Sequence, residues 1–183
     1  YCDFKKNTYH VLSKKFIFNH SKKNLNKFKK FKNIAIIGMG GSILGSNAIY
    51  DFLRNKIKKN VTFFDNLDME KINEFKKKNN KKNCLFIVIS KSGNTIETIV
   101  NLIELNILRL NAKNIIIITE RKKNILNIFS KKYNLPFIEH KDFLGGRYSV
   151  LSEVGIVPSY LMGVNIKKLR SNLKKYITEN EKL

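Results

Sequence analysis

The sequence has few cysteines and no long apolar run, and both absences narrow the kind of protein it encodes. Cys2 and Cys84 lie far apart, with no partner at the short spacing of a zinc site. We therefore expect no disulfide framework and no bound metal, and we expect Cys84, which opens the apolar run CLFIVIS, to be buried. No run approaches the roughly 18 apolar residues that cross a membrane, and no signal-peptide pattern is present. These absences predict a cytoplasmic protein without a membrane partner.

Acidic residues are also scarce. The chain has 183 residues, with 14 Asp and Glu against 36 Lys and Arg, which gives a formal charge of +22. Such a charge is typical of proteins that bind polyanions. However, 31 of the basic residues are lysine and only five are arginine, whereas a surface selected for phosphate is enriched in arginine. We interpret the charge as compositional bias and predict no nucleic-acid partner, although binding through the basic N-terminus stays an alternative.

Apolar runs of strand length alternate with segments of helical periodicity. The predicted strands cover residues 33–38, 61–64, 84–90, 114–118 and 135–138, and the predicted helices cover 42–57, 68–78, 95–110, 124–133, 151–162 and 166–177. The helix at 95–110 carries one apolar stripe, formed by Ile96, Ile99, Val100, Ile103 and Ile107. This alternation indicates an α/β fold, in which a parallel β-sheet is flanked by helices on both faces. Ligands of such folds bind at the carboxyl ends of the strands.

The same pattern divides the chain into three parts. Residues 1–32 are basic and irregular and form an N-terminal extension, residues 33–165 form the α/β domain, and residues 166–183 form a C-terminal helix. We expect that helix to be the start of a remainder that the chain lacks.

A glycine-rich loop, GMGGS at residues 38–42, follows the first predicted strand. Glycine lets the backbone approach a ligand closely, and the next helix offers free N–H groups to an anion. Ser42 fits the N-cap of that helix. The dinucleotide pattern G-x-G-x-x-G fails because position 43 is Ile43, and no Gly-Lys-Ser/Thr follows. The loop therefore indicates an anion site of neither standard nucleotide type, with a plain strand–helix turn as the alternative.

A second loop, SKSGNTIET at residues 90–98, follows another predicted strand. Ser90, Ser92 and Thr95 offer three hydroxyl donors within six residues, and Gly93 permits a tight turn. Such a hydroxyl-rich turn at a helix N-terminus suits a phosphomonoester. Capping of the helix by Thr95 and Thr98 is the structural alternative.

The third segment, LGGRYSVLS at residues 144–152, places Arg147 after two glycines. In a chain that uses lysine almost everywhere, this arginine indicates a geometric need. A fixed guanidinium near a pocket stabilises a developing oxyanion. A surface arginine in a turn is the alternative.

Together the motifs GMGGSILG, SKSGNTIET and GGRYSVLSEVGIVPSYLMG resemble the N-terminal sugar-isomerase (SIS) domain of the glucose-6-phosphate isomerase family, and the resemblance covers residues 32–163. It implies a flavodoxin-like three-layer fold and a homodimer. It also implies reversible isomerisation of glucose 6-phosphate and fructose 6-phosphate through a cis-enediolate, with no metal and no organic cofactor.

The resemblance further implies roles for individual residues. The phosphate would be held by Ser90, Lys91, Ser92 and Thr95, the sugar would contact Gly41 and Ser42, and Arg147 would stabilise the enediolate, whose charge exists only along the reaction path.

The sequence departs from the family after residue 163. The family's catalytic glutamate and its ring-opening histidine and lysine belong to later segments, and nothing here resembles them, so we expect poor catalysis by this chain alone. No base is assigned among the available carboxylates Glu97, Glu104, Glu120 and Glu153. His140 is a candidate to approach the pocket, because it ends a strand near Gly145. A non-catalytic phosphosugar sensor or regulator is the alternative function.

Overall fold

The computed structural model describes residues 8–13, 16–171 and 173, and it confirms the α/β fold. One all-parallel sheet has the strand order β2-β1-β3-β4-β5. Its strands are β1 (Asn33–Ile37), β2 (Asn60–Phe64), β3 (Cys84–Ile89), β4 (Ile115–Thr119) and β5 (Phe137–Glu139). The strand order reverses direction between β1 and β3, so their carboxyl ends border the crevice where ligands bind in such sheets.

Strand side chains alternate between two hydrophobic cores, one on each face of the sheet. In β1, Ile34 and Ile36 enter one core, while Ala35 and Ile37 enter the other. All six residues of β3 are buried, as its continuous apolar run predicts. Cys84 is buried as expected, and the loss of hydration raises the pKa of its thiol to about 12.

Helices cover both faces of the sheet. They are α1 (Lys22–Asn26), α2 (Leu44–Leu53), α3 (Met69–Lys78), α4 (Ile96–Glu104), α5 (Ile125–Lys132), α6 (Glu153–Met162) and α7 (Ile166–Arg170). Side chains of α6 and α1 pack in the first core, with Tyr50 of α2 at its margin, and side chains of α3, α4 and α5 pack in the second. In the described part of the chain, no helix combines the length and the apolarity that a membrane span needs.

Two helices are shorter than predicted. The segment predicted as a helix over residues 42–57 contains α2 flanked by short 3-10 turns. The segment predicted over 95–110 stops at Glu104, because the backbone turns left-handed at Asn106, where φ is +48°. For the helix predicted over 166–177, α7 confirms the start, and residues 172 and 174–177 lie outside the described residues.

Much of the N-terminal extension packs onto the domain. Leu25, Phe28 and Phe31 are buried in the first core, against α6. The guanidinium of Arg170 donates to the carbonyl oxygens of Val11 at 2.8 Å and Leu151 at 2.7 Å. Three apolar side chains of this segment therefore form part of the hydrophobic core of the sheet.

The predicted apolar stripe is divided, because Ile107 lies beyond the end of α4 and is buried in the second core, whereas stripe residues within α4 face outward. Ile96 and Ile103 are 72% and 54% exposed, whereas Asn101 and Leu102 are buried. Leu102 enters the second core, and the Asn101 amide donates to the carbonyl of Asn66 at 3.0 Å, so the two contacts fix the rotation of the helix. Ile96 and Ile103 therefore form an apolar row on the outer surface of α4, and the described residues leave this row open.

Two adjacent residues of α4 test this orientation. We expect Leu102→Ala to lower the free energy of unfolding by about 2–5 kcal/mol, because it removes a buried side chain and leaves a cavity. Ile103→Ala, the matched control, should change it by less than about 0.5 kcal/mol, as exposed substitutions usually do. Urea denaturation of both variants measures the difference, and equal losses would show that the helix is rotated otherwise.

His20 makes the stability depend on pH. Its Nδ1 is buried without a hydrogen-bond partner in the described residues, and its ring lies 5.2 Å from that of Phe18. Burial, with a smaller effect from Lys22, lowers the pKa of His20 from 6.5 to about 4. Between pH 6.5 and pH 4 the His20 ring is protonated in the unfolded chain but neutral in the folded chain. The free energy of unfolding therefore falls as the pH drops from 6.5 to 4. Burial also lowers the pKa of His140, so this residue changes the free energy of unfolding with pH in the same direction.

We therefore expect His20→Phe, which keeps a ring but cannot titrate, to flatten this part of the pH profile. The residual slope should come in part from His140. Free energies of unfolding measured by urea denaturation between pH 4 and 7 compare the two proteins. Parallel profiles would contradict the assignment.

Candidate functional site

The first glycine-rich loop lies at the carboxyl end of β1, directly beside β3. A Cβ added to Gly38 would lie 2.9 Å from the carbonyl oxygen of Ile89, so the two strand ends approach too closely for a larger residue. Residues 40–42 form a 3-10 turn, in which the backbone N–H of Ser42 donates to the carbonyl of Met39 at 3.0 Å. Ser42 is therefore not the N-cap of α2. That position belongs to Ile43, because the extra turn delays the start of the helix.

The hydroxyl-rich loop at 90–95 lies at the carboxyl end of β3. Ser90 is buried, and its Oγ lies 2.8 Å from Oγ1 of Thr95 and accepts the N–H of Gly93 at 3.1 Å. Oγ of Ser92 lies 3.5 Å from Oγ1 of the same threonine. Thr95 is the N-cap residue of α4, yet its side chain makes no capping bond. The three hydroxyls therefore cluster together, and capping does not account for Thr95.

The backbone of this loop requires glycine at its tip. Gly93 has a φ of +69°, and a Cβ added there would lie 2.1 Å from Oδ1 of Asn124. That asparagine caps α5 by accepting the N–H of Asn127 at 2.8 Å. The loop is thus wedged against the amino end of α5, which the sequence pattern alone did not indicate.

The third segment closes against the first. A Cβ on Gly41 would lie 2.3 Å from the carbonyl carbon of Gly146, so the two backbones touch. Oγ of Ser149 donates to the carbonyl of Gly146 at 2.6 Å and approaches that of Gly41 at 3.3 Å. Ser149 thus connects the two loops. The sequence does not predict this role, because nothing in the motif GGRYS indicates a contact with the first loop. Two of the three predicted motifs are in direct backbone contact.

Arg147 lies in the 3-10 turn formed by Gly146–Tyr148, next to this contact. Its side chain is exposed, and within the described residues its guanidinium has neither a hydrogen bond nor an ion pair. An unpaired guanidinium on a backbone fixed by two glycines can bind an anion without first breaking another contact.

Lys91 is engaged differently from the hydroxyls around it. Its Nζ donates to the carbonyl of Asp142 at 2.8 Å and lies 3.6 Å from Oε1 of Glu120. The structure therefore places its ammonium between the loops that follow β4 and β5.

The candidate carboxylates occupy structural positions. Glu97 lies in the first turn of α4, where the helix dipole favours a negative charge, and Glu104 ends the same helix. Glu120 pairs with Lys91 and Lys122. Glu153 is fully buried and accepts the backbone N–H of Asn19 at 2.8 Å, and burial raises the pKa of its carboxyl group.

His140 lies below the surface of this end of the sheet. It is 2% exposed, and its Nδ1 lies 2.9 Å from the carbonyl of Lys141. Among the residues that the structure describes, no group of three or more histidine, cysteine or carboxylate side chains could hold a metal ion. The site therefore consists of hydroxyls, backbone N–H groups and a guanidinium, which is a set suited to an anionic, hydroxylated ligand.

Comparison with known proteins is consistent with this chemistry. Residues 8–173 match the family model described as phosphoglucose isomerase. The chain is 38% identical over 174 residues to a glucose-6-phosphate isomerase of Methanocaldococcus jannaschii, which covers 86% of this chain and 41% of that protein. This chain thus spans about two fifths of that relative.

Solved structures share the fold. A Thermus thermophilus protein described as hypothetical superposes with a TM-score of 0.74 at 22% identity, over 94% of this chain and 40% of that one. A glucose-6-phosphate isomerase of Chlamydia trachomatis superposes with a TM-score of 0.63 at 24% identity, over 85% of this chain and 29% of that one.

The backbone contact between the two glycine loops can be tested from both sides. We expect Gly41→Ala to lower the free energy of unfolding by about 1–3 kcal/mol, the usual cost of overpacking, because its Cβ meets backbone atoms that cannot swing away. Gly146→Ala is the matched control, since its Cβ would lie at an ordinary 3.5 Å from Cα of Gly41. Thermal unfolding measures the stability of both variants. An equal loss of stability would contradict the structure, in which a Cβ clashes at Gly41 but not at Gly146.

Proposed function

This chain belongs to the phosphoglucose isomerase family, and we propose that it forms the phosphosugar-binding part of an enzyme that interconverts glucose 6-phosphate and fructose 6-phosphate. The observation that carries the proposal is the arrangement at one end of the sheet. A hydroxyl cluster follows β3, and the glycine loop that touches the loop after β1 carries Arg147, which is unpaired among the described residues. The similarity to isomerases of this name favours an enzyme over a sensor or regulator.

The hydroxyl cluster supports binding of the substrate phosphate. The hydroxyl groups of Ser90 and Ser92 lie 2.8 Å and 3.5 Å from that of Thr95 before any ligand arrives, so little conformational entropy is lost on binding. The amino end of α4 begins at the next residue, and its dipole adds to the attraction of a phosphate dianion. Lys91 lies in the same loop, with its ammonium bound to the carbonyl of Asp142 and beside Glu120.

The two glycine loops support binding of the sugar. Gly41 and Ser42 lie on the turn that meets Gly146, so a sugar that reaches Arg147 also meets this turn. In the proposed reaction a proton moves between the first two carbons through a cis-enediolate. Arg147 would stabilise the negative charge that spreads over the two oxygens, and because that charge is absent in the substrate, the arginine lowers the barrier more than it tightens binding. We assign the proton transfer to no carboxylate of this chain.

We also propose that the protein acts in the cytoplasm as a homodimer, in glycolysis and gluconeogenesis. The open apolar row of α4 supports association, because Ile96 and Ile103 are exposed and no lysine or arginine lies between Lys91 and Arg109. In a chain with a charge of +22, such a face repels a partner less than the rest of the surface does.

Substitution of Arg147 tests the proposed reaction. We expect Arg147→Ala to weaken binding of an enediolate-mimicking sugar-phosphate hydroxamate by about 100-fold, in line with the loss of one oxyanion donor. Binding of fructose 6-phosphate should weaken less than about threefold, because the substrate lacks the negative charge that the arginine stabilises. Isothermal titration calorimetry measures both affinities.

Arg54→Ala is the matched control for the loss of one positive charge. Arg54 follows the carboxyl end of α2, at the opposite end of that helix from the glycine loop, and should leave both affinities unchanged. Equal weakening of hydroxamate and substrate by Arg147→Ala would favour a simple binding domain over an enzyme.

A further inference from the structure

Lys91 joins three segments that follow neighbouring strands. Its ammonium donates to the carbonyl of Asp142, after β5, at 2.8 Å. Its own carbonyl oxygen accepts the backbone N–H of Glu120 at 3.2 Å and the hydroxyl of Thr119 at 3.3 Å, at the end of β4. Because Lys91 itself follows β3, one residue links the carboxyl ends of β3, β4 and β5.

The charges around the ammonium hold it in this place. Oε1 of Glu120 lies 3.6 Å from Nζ, and because the side chains of Glu120 and Lys91 are 9% and 34% exposed, solvent screens the pair only in part. The other carboxylate oxygen of Glu120 pairs with Lys122, which fixes the carboxylate from its outer side. Burial lowers the pKa of nearby His140, which therefore stays neutral and does not repel the ammonium.

The contact with Asp142 is connected to Arg147 through a short turn with two local hydrogen bonds. Oδ1 of Asp142 accepts the N–H of Phe143 at 2.8 Å, and the N–H of Leu144 donates to the carbonyl of Lys141 at 3.2 Å. Leu144 is fully buried, in a cluster with Val11 and Phe16. A displacement of the Asp142 carbonyl therefore moves the backbone that leads directly into Gly145, Gly146 and Arg147.

We propose that Lys91 is a positioning residue, whose ammonium couples the hydroxyl loop at 90–95 to the arginine loop at 145–147 instead of binding the phosphate. The inference rests on the proposed function, because it assigns the phosphate to one loop and the enediolate to the other. A substrate held at both ends needs a fixed separation between them, and misplacement of about 1 Å is costly to catalysis. Lys91 belongs to the loop assigned to the phosphate, and its ammonium reaches the segment that leads to Arg147.

The test compares Lys91→Met, which keeps the length but removes the donor, with Lys91→Arg, which keeps a charged donor. In the ligand-free chain, we expect Lys91→Met to raise hydrogen–deuterium exchange of the amides at residues 143–147 at least about fivefold, because a local contact that closes the segment is lost. Lys91→Arg should restore most of the protection. Lys122→Met is the matched control, because it removes an ammonium from the same Glu120 without touching Asp142.

Calorimetry with two probes separates positioning from direct contact. Lys91→Met should weaken binding of inorganic phosphate less than about threefold, the effect of one screened charge, and binding of the sugar-phosphate hydroxamate about tenfold. A tenfold loss for inorganic phosphate with unchanged exchange would overturn the proposal and make the ammonium a phosphate ligand. Unchanged exchange and unchanged affinities would also overturn it, leaving a surface lysine.

The two readouts also separate this proposal from the proposed function. If the native chain does not favour the hydroxamate over fructose 6-phosphate, the assignment of an isomerase fails. The exchange measurement still decides the coupling by Lys91, because it needs no ligand.

Discussion

The contact between the backbones of Gly41 and Gly146 is the constraint on which the site depends. On the side of Gly41 only a hydrogen atom fits, since a Cβ there would lie 2.3 Å from the carbonyl carbon of Gly146. Ser149 fastens the contact by bonding to both carbonyl oxygens. The loop after β1 and the loop that carries Arg147 are separated by more than 100 residues, yet they form one surface for this reason. The hydroxyl loop joins them at the neighbouring strand, where Gly38 meets the last residue of β3.

The distribution of charge follows the same organisation. The three longest stretches without lysine or arginine are residues 33–53, 92–108 and 148–166, and they contain the glycine loop, most of the hydroxyl loop and the helix after the arginine loop. The basic residues that immediately precede the second and third stretches are Lys91 and Arg147. Thus the high net charge lies largely outside the site, and Lys91 and Arg147 are the cations at its border to which we assign a role. Elsewhere the lysines raise the potential around the protein, which attracts a dianionic ligand over longer distances.

The sequence predicted the fold well because each strand of a buried parallel sheet is a short run of apolar residues. All five predicted strands are present with small shifts at their ends; β5, for example, begins at Phe137 rather than at Leu135, directly after Pro136. One local expectation failed, because Ser42 is not a helix cap and a 3-10 turn comes before the helix. The stripe residues Ile96 and Ile103 of α4 face outward, because Leu102 and Asn101 set the rotation of that helix. Periodicity shows that a helix has an apolar face but not whether the sheet or another surface covers it.

What the sequence determined by itself is the order of the elements, the parallel sheet and the three loops at strand ends, because these depend on local residue types and on short spacing. The tertiary structure decided which groups are free to bind a ligand. Arg147 and Lys91 look alike in the sequence as cations within glycine- and serine-rich loops, but the guanidinium of Arg147 is unpaired in the described residues, while the ammonium of Lys91 is bound to Asp142 and Glu120. That difference depends on partners 29 or more positions away, which come within bonding distance only when the strand ends align.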